Sequence, residues 1–547
     1  MKRKIFALSV FAVMILCCPA FSETYAQGEA LAVFRVPEGV SVSAAGVNVA
    51  ESAGEIGASV AETYETLSEI EGKIFVLVRS SSKTTEQLIS ELKERPDVIT
   101  ASPNYYAKRQ SFSASEIPND PSADLCWGLK AINAPDVWEV TTGSENIYAC
   151  VVDSGVYKHP DLTDNIAEEY GYNTQTVSGD YDLRNVSWDS DFIGHGTHVA
   201  GTIGAVGNNN IGVAGVNWNV KLIPIRVFDN KNAFETINFE IRALNYIANL
   251  LRKNPDLKLA ALNFSLGAAL PVTPEEMQSD VYYMAYQALD SLNRTLSVVA
   301  AGNSGIETGT PVLFDDPSGS EFKKGDYFYP ASFTGLNNLI VVGTVASDDT
   351  APSFTNWGEK VDIAAPGVDI LSTYSSIAIG GRNPAMYRYA SGTSMAAPHV
   401  TGAAALLMSA YPDATPGQIT TALLEGANKD INPLVYPYEG FVKDLVAERT
   451  QYLDSEIEMG IVAPESRDAE IAKITRDAEE LYAPYKQLDG TGRVSRTGLL
   501  DVKASYELLG KNVRGGSSSS SGCSTGVGAA VVILAGAFVI VRVKFRA

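Results

Sequence analysis

The feature that most constrains the fold of this 547-residue sequence is an apolar run that ends in a carboxylate. Residues 147–153 read Ile-Tyr-Ala-Cys-Val-Val-Asp, and the turn residues Ser154 and Gly155 follow. A run of this kind is typical of a buried strand in a parallel sheet. Because ligands and reacting groups collect at the carboxyl ends of such strands, Asp153 is a candidate functional residue. An Asp in this position is more often a turn or capping residue, so its role depends on other motifs.

A second motif places an imidazole at the start of a helix made of small residues. The segment reads Gly194-His195-Gly196-Thr197-His198, and its glycines allow other backbone to approach closely. A zinc protease motif of the His-Glu-x-x-His type requires a Glu and histidines four residues apart, but these two lie three apart without a Glu. The metalloprotease interpretation is therefore excluded.

A third motif, Gly392-Thr393-Ser394, leads into an apolar helix over residues 400–410. Ser394 is either a helix cap or a nucleophile, and a nucleophilic serine needs a base to take its proton. His195 supplies that base, and Asp153 would hold the imidazole in the correct tautomer. An α/β-hydrolase would need Gly-x-Ser-x-Gly and a histidine later in the chain. Position 396 is Ala, and the only later histidine, His399, lies on the same helix as Ser394.

The three motifs, in the order Asp, His, Ser, resemble those of the subtilisin-like serine proteases. For residues 118–511 the resemblance implies an α/β fold, with a mostly parallel, doubly wound sheet and helices on both faces. It implies a serine endopeptidase that cuts protein or peptide substrates through an acyl-enzyme. Asn303, in the motif Ala301-Gly302-Asn303, would donate to the oxyanion together with the backbone N–H of Ser394.

The same resemblance implies a substrate cleft and a calcium site. Extended substrate backbone would pair with an edge segment, and the pocket for the residue before the scissile bond would be walled by Ser265, Leu266, Gly267, Ala300, Ala301 and Gly302. A structural Ca²⁺ would be held by the carboxylate of Asp161, the side chain of Asn209 and the carbonyl groups of Gly207, Ile211 and Val213. Asp120 or Asp124 would complete its shell. The alternative is a plain Asn/Gly-rich surface turn, and no organic cofactor is expected.

The N-terminal region predicts export and a removable segment. Residues 1–26 have the basic start and apolar core of a signal peptide. Residues 27–112 contain strand-like runs at 32–36 and 73–78, a helical pattern at 85–95 and a final strand, which together predict a small α+β domain. Residues 73–106 resemble the inhibitor pro-domains of subtilisin-like proteases, which implies an intramolecular inhibitor and cleavage within residues 107–119.

The C-terminal region predicts an anchor. A Gly/Ser linker at residues 515–522 precedes an apolar span at 524–541 and a basic tail at 542–547. The arrangement resembles bacterial sorting signals, which implies a dedicated sorting protease as a partner and at least transient membrane attachment. Cys523 is either a processing or lipidation point or a plain cysteine beside the membrane. A net charge of −22 argues against a nucleic-acid partner.

Two segments depart from the family pattern. Residues 306–328 are longer than expected and are predicted to border the substrate pocket, which leaves the side-chain preference open. Residues 432–484 predict one or two added helices that serve as scaffold. Cys126 and Cys150 would be able to pair in an oxidising compartment. The competing function is a catalytically silent module of the same fold that clamps extended peptides.

Overall fold

The computed structural model describes nine parts of the chain: residues 25–37, 40–109, 114–116, 123–175, 189–228, 234–317, 321–379, 386–458 and 464–515. The apolar core of the signal peptide, Asp120, Cys523 and the C-terminal apolar span lie outside these residues. Within the described parts, no helix is long and apolar enough to cross a membrane.

The N-terminal unit is a four-stranded antiparallel sheet with two helices packed on one face. Its elements are β1 (Tyr25–Arg35), α1 (Val42–Glu55), β2 (Ser59–Thr63), α2 (Glu65–Glu71), β3 (Lys73–Arg79), α3 (Thr85–Lys93) and β4 (Val98–Arg109). Helix α3 starts where predicted because Thr84 and Gln87 form a capping box.

Both faces of this small sheet are covered, which explains why residues 30–34 of β1 do not alternate between buried and exposed side chains. Along β1, Ala32 and Phe34 pack under α1 and α3, whereas Leu31 and Val33 join the core shared with the larger unit. Because successive side chains of a strand point to opposite faces, an unbroken apolar run indicates burial on both sides. The N-terminal unit therefore packs against the remainder of the protein through one whole sheet face.

The larger unit contains the other strands and helices of the described chain. They are β5 (Ala114–Glu116), α4 (Trp127–Ala131), α5 (Ala134–Trp138), β6 (Ile147–Asp153), β7 (Tyr172–Asn173), α6 (His195–Gly204), β8 (Lys221–Arg226), β9 (Phe234–Thr236), α7 (Ile237–Lys253), β10 (Lys258–Phe264), β11 (Leu266–Leu270), α8 (Pro274–Met277), α9 (Val281–Ser291), β12 (Leu296–Ala300), β13 (Tyr327–Tyr329), β14 (Leu339–Val345), β15 (Ile363–Pro366), β16 (Ile370–Tyr374), β17 (Met386–Ala390), α10 (Thr393–Ala410), α11 (Pro416–Glu425), α12 (Pro437–Glu458), α13 (Arg467–Leu481) and α14 (Val502–Gly515).

The centre of this unit is a seven-stranded parallel sheet in the order β15-β14-β12-β10-β6-β8-β7. Helices α6 and α10 cover one face, on which Val151 lies, and α7 and α9 cover the other, on which Val152 lies. The predicted doubly wound α/β fold is confirmed. The sheet is also the reason that Cys126 and Cys150 do not pair. Cys126 is buried in the core on one face of the sheet, and Cys150 is buried in the core on the other face.

Helices α12 and α13 occupy the segment at residues 432–484, and they lie against each other. Arg467 on α13 makes a two-pronged ion pair with Asp454 on α12, at 2.6 and 3.0 Å. Near the start of α12 and just after the end of α13, the rings of Phe441 and Tyr482 stack with centroids 5.1 Å apart. Helix α14 ends at Gly515.

Candidate active site

The end of strand β6 and the start of helix α6 bring an aspartate and a histidine together. Nδ1 of His195 lies 2.7 Å and 2.9 Å from the two carboxylate oxygens of Asp153, and both side chains are fully buried. Because an ionised carboxylate only accepts hydrogen bonds, Nδ1 of His195 carries the proton. In the neutral ring Nε2 is then the basic nitrogen.

The start of helix α6 is held by a carboxylate that the sequence analysis missed. Asp191 accepts hydrogen bonds from the backbone N–H groups of Ile193, Gly194 and Thr197, at 3.1, 2.7 and 2.9 Å, and from the Thr197 hydroxyl at 2.6 Å. Ser154 also donates to Asp191, and its oxygen accepts the N–H of Gly196. Burial raises the pKa of Asp191 in spite of these donors. An Asp just before a helix is a capping signal that the sequence offered.

The other three histidines are structural. A ring nitrogen of His159, His198 and His399 lies 2.8 to 3.0 Å from a backbone carbonyl oxygen. Burial lowers the pKa to about 4 for His159, about 3 for His198 and about 4 for His399, so each ring stays neutral. His399, which the hydrolase alternative would have required, bonds to a carbonyl of its own helix.

Ser394 lies in the first turn of α10 and against the segment that follows β10. Its carbonyl accepts the Ser265 hydroxyl at 2.9 Å, and its own hydroxyl lies 3.4 Å from the Ser265 carbonyl. Small residues let α10 pack closely on its neighbours. A Cβ on Gly402 would lie 2.7 Å from Cβ of Val216 and 3.1 Å from the carbonyl oxygen of Ile203, the latter in α6.

The orientation of the Asn303 side chain is set by Thr393. Oδ1 of Asn303 accepts the backbone N–H of Thr393 at 2.8 Å and its hydroxyl at 2.9 Å. Since a backbone N–H can only donate, the atom it meets must be the amide oxygen, and the amide nitrogen of Asn303 faces the other way. The Thr393 hydroxyl also accepts the N–H of Gly302 at 3.1 Å, which ties the turn after β12 to the helix that carries Ser394.

Asn356 braces the same turn, and no motif in the sequence pointed to it. Its amide nitrogen donates to the carbonyl of Ala301 at 2.9 Å, and its amide oxygen accepts the N–H groups of Ser304 and Ile306 at 3.0 and 3.2 Å. A side chain that bonds backbone on both sides of Asn303 holds this turn rigid. Such a role depends on a contact across 50 residues of sequence, so only the fold shows it.

The predicted pocket walls leave the central sheet side by side. Strands β10 and β12 are parallel neighbours, with Phe264 opposite Val299. Residues 265–267 follow β10, and residues 300–302 lie at and just beyond the end of β12. Consequently the two segments emerge at the same edge of the sheet.

Extended backbone already lies along one of these segments. The end of β4 pairs antiparallel with β11, with Lys108 opposite Gly267 and Arg109 opposite Leu266. On its other side, β4 pairs with β9, where Ala107 lies opposite Glu235. The last residues of the N-terminal unit therefore form the middle strand between two segments of the larger unit.

Comparison with known proteins agrees with this geometry. The sequence pattern of the Subtilase family matches residues 144–451, more than half of the chain. The chain belongs to the subtilase family. This subtilase is a serine endopeptidase, and its relatives carry names of proteases.

Three relatives illustrate the similarity of this subtilase to known enzymes. It is 33% identical over 387 residues to the thermophilic serine proteinase of Bacillus sp. (strain AK1), covering 70% of this chain and 79% of the relative. It is 29% identical over 434 residues to subtilisin J of Geobacillus stearothermophilus, covering 77% and 93%. It is 30% identical over 364 residues to the extracellular protease of Xanthomonas campestris, covering 62% and 57%.

A solved structure supports the fold of this subtilase over most of its length. The structure of fervidolysin from Fervidobacterium pennivorans, a keratinolytic enzyme related to subtilisin, matches 88% of this chain and 61% of its own, with a TM-score of 0.55 and 21% identity.

The segment predicted to bind calcium in this subtilase is closed by hydrogen bonds. Asp161 is buried, and it accepts the amide nitrogen of Asn209 at 2.7 Å, the N–H of Val213 at 2.9 Å and the Tyr387 hydroxyl at 3.2 Å. The amide oxygen of Asn209 accepts the N–H of Ile211 at 2.9 Å. Calcium takes six to eight oxygen ligands, so a bound Ca²⁺ would require the Asn209 amide to turn its oxygen toward the ion.

Asp124, one candidate to complete the calcium shell, is 91% exposed and pairs with Lys130 at 3.0 Å. Among the residues that the structure describes, no cluster of three or more His, Cys, Asp or Glu side chains is suited to a metal ion. Such a cluster is not needed for a site made mainly of carbonyl groups, so the calcium site stays a prediction.

Proposed function

We propose that this subtilase cuts peptide bonds with Ser394 as the nucleophile, His195 as the general base and Asp153 as the residue that orients the base. Asn303 and the backbone N–H of Ser394 are the oxyanion donors. The observation that carries the assignment is the buried pair of Asp153 and His195. Its geometry puts the proton on Nδ1 of His195 and leaves Nε2 as the nitrogen able to accept a proton.

The reaction then follows from these groups. Ser394 Oγ attacks the substrate carbonyl carbon as its proton moves to Nε2 of His195, and Asp153 stabilises the imidazolium. The carbonyl oxygen becomes an oxyanion, which receives hydrogen bonds from Asn303 and the backbone. When the intermediate collapses, the C–N bond breaks and His195 returns the proton to the leaving amine. Water repeats the two steps on the acyl-enzyme, which releases the acid and regenerates Ser394.

We also propose that residues 27–112 act as an intramolecular inhibitor and are removed by the enzyme itself. The position of β4 between β9 and β11 supports this role, because a peptide that occupies a substrate cleft excludes other substrates. Since the backbone up to Arg109 is paired in the cleft, we expect cleavage beyond it, within residues 110–119.

Polar contacts at the second interface of the N-terminal unit support an inhibitor that docks in one orientation. Arg242 of α7 forms an ion pair with Glu62 at 2.6 Å, and Oδ1 of Asn245 accepts the N–H groups of Thr66 and Leu67 at 3.0 and 3.2 Å. Asn245 thereby provides the missing hydrogen-bond acceptor for the start of α2. Because these contacts join α2 and β2 to α7, they align β4 with the cleft.

Export and anchoring complete the proposal. Support comes from the signal-peptide pattern at residues 1–26, from the apolar span at 524–541 with its basic tail, and from the relative named as an extracellular protease. The enzyme would act outside the membrane on protein or peptide substrates. A sorting protease would act on its C-terminal tail.

A serine-directed fluorophosphonate probe tests the catalytic assignment. We expect the purified, processed protein to be labelled on Ser394, because the probe reacts only with a serine that a base has activated. Labelling is measured by mass spectrometry of the tryptic peptide, with the Ser394→Ala variant as the control. A folded, processed wild-type protein that stays unlabelled would favour the silent peptide-binding module.

Calcium is tested separately, because the loop at Asp161 is closed by hydrogen bonds. If the ion binds by turning the Asn209 amide, the midpoint of thermal unfolding is higher in millimolar CaCl₂ than in EGTA. The difference disappears in Asp161→Asn, and Asp413→Asn, at a side chain that is 98% exposed, serves as the control carboxylate. Equal midpoints for the wild-type protein in calcium and in EGTA would show that hydrogen bonds alone hold this loop.

A further inference from the structure

The segment at residues 306–328 delivers a phenylalanine to the predicted specificity pocket. Its last residue, Phe328, lies in β13, which pairs antiparallel with β11 so that Phe328 is opposite Ala269. Phe328 is only 6% exposed. Strand β11 lies between β13 and β4. Phe328 therefore reaches the pocket from the side of β11 opposite to β4.

The tip of the Phe328 ring touches both walls of the pocket. A Cβ built on Gly267 would lie 2.9 Å from Cε1 of Phe328, and one built on Gly302 would lie 2.8 Å from the same atom and 3.0 Å from Cζ. Two glycines on different strands therefore face a single ring carbon. At this depth the space between the walls is filled by the ring.

Neither wall is able to move away from the ring. Gly302 has a φ of +110°, and the backbone on either side of it is held by Asn356 through Ala301 and Ser304. On the other wall, Ala268, which follows Gly267, is paired with Tyr329 of β13. A long substrate side chain would need Phe328 itself to change its position.

We infer that Phe328 is a specificity-determining residue, which shortens the pocket for the substrate residue before the scissile bond. The pocket then accepts Gly, Ala or Ser and rejects Phe, Tyr and Leu. The inference rests on the proposed function, because the pocket walls belong to that site. It answers the question of side-chain preference that the length of residues 306–328 left open.

The test uses peptide p-nitroanilides that are identical except for Ala or Phe before the scissile bond. The wild-type enzyme has a higher kcat/KM for the Ala substrate. In Phe328→Ala the kcat/KM for the Phe substrate rises by at least about tenfold, since one methylene in an apolar pocket already discriminates by about 10-fold or more. The value for the Ala substrate stays within about threefold. Phe328→Leu gives an intermediate ratio.

Phe314→Ala is the matched control. Phe314 is an aromatic residue of the same segment, but its ring packs on Tyr485, with centroids 4.6 Å apart, and does not face either glycine. We expect Phe314→Ala to have the same ratio of kcat/KM values for the Ala and Phe substrates as the wild-type enzyme. A general loosening of the segment, by contrast, would change the preference in both variants.

Two results would overturn the inference. One is a wild-type enzyme that cleaves the Phe substrate as well as the Ala substrate, which is decisive even if the variants do not fold. The other is an unchanged preference in a folded Phe328→Ala or Phe328→Leu protein. If the probe did not label Ser394, the proposed function would be contradicted instead. The failure of the specificity inference and the failure of the proposed function are therefore distinguishable.

Discussion

Ser394→Ala stops peptide-bond hydrolysis and leaves residues 27–112 attached to the chain. The methyl group has no lone pair to attack a carbonyl, so the acyl-enzyme does not form. We expect kcat to fall by about 10⁶-fold, the size of the effect when a subtilisin loses its nucleophile. The measurement combines hydrolysis of a peptide p-nitroanilide with intact-mass spectrometry of protein isolated from the same host as the wild type.

Ser391→Ala is the matched control for this prediction. Ser391 lies three residues earlier in the same segment, and its hydroxyl accepts the N–H of Asp369 at 2.9 Å. This variant keeps its activity and its mature N-terminus, which we expect within residues 111–120. If Ser394→Ala were processed normally, a second protease would be responsible for removing the N-terminal unit, and self-processing would be wrong.

Asp153→Asn is the second large effect, and it leaves the shape of the site almost unchanged. An amide in place of the carboxylate can donate to Nδ1 of His195, which moves the ring proton to Nε2. A protonated Nε2 is unable to take the proton of Ser394, so we expect kcat to fall by about 10⁴-fold. The thermal unfolding midpoint, measured beside kcat, separates this loss from unfolding.

Asp413→Asn removes an exposed carboxylate on the same chain, and its kcat should match that of the wild type. A kcat of Asp153→Asn within about tenfold of the wild-type value would mean that the imidazole keeps its useful tautomer without the carboxylate. The buried pair in the structure would then be a structural ion pair and not part of the catalytic group.

The proposed catalytic residues are each marked in the sequence by their immediate neighbours. An apolar run ends before Asp153, glycines flank His195, and small residues follow Ser394. Each of these side chains lies where a strand or helix begins or ends, and other backbone lies close to it. The same local logic predicted β3 and α3, whereas the doubly wound sheet was implied by the resemblance to subtilisin-like proteases. It missed α1, α2 and β2, whose segments lack a strong period.

The residues that support the site had weaker signals or none. Asp191 had a capping signal, but Asn356 is an ordinary asparagine in the sequence and becomes a brace only because its loop meets the turn at Asn303. The pairing of β4 with β11 also joins parts of the chain that are more than 150 residues apart. Contacts between such distant residues do not produce a regular pattern of apolar residues in either segment.

The sequence by itself determined the chemistry of this protein, because the catalytic motifs are short and depend on local backbone geometry. It also indicated a buried parallel strand at residues 147–153, because burial on both faces of a parallel sheet leaves unbroken apolar runs. Only the tertiary structure decided which side chains surround that chemistry. Phe328 is the clearest case, since the ring reaches Gly267 and Gly302 through the pairing of β13 with β11. Substrate preference depends on such distant contacts, whereas the ability to cut a peptide bond does not.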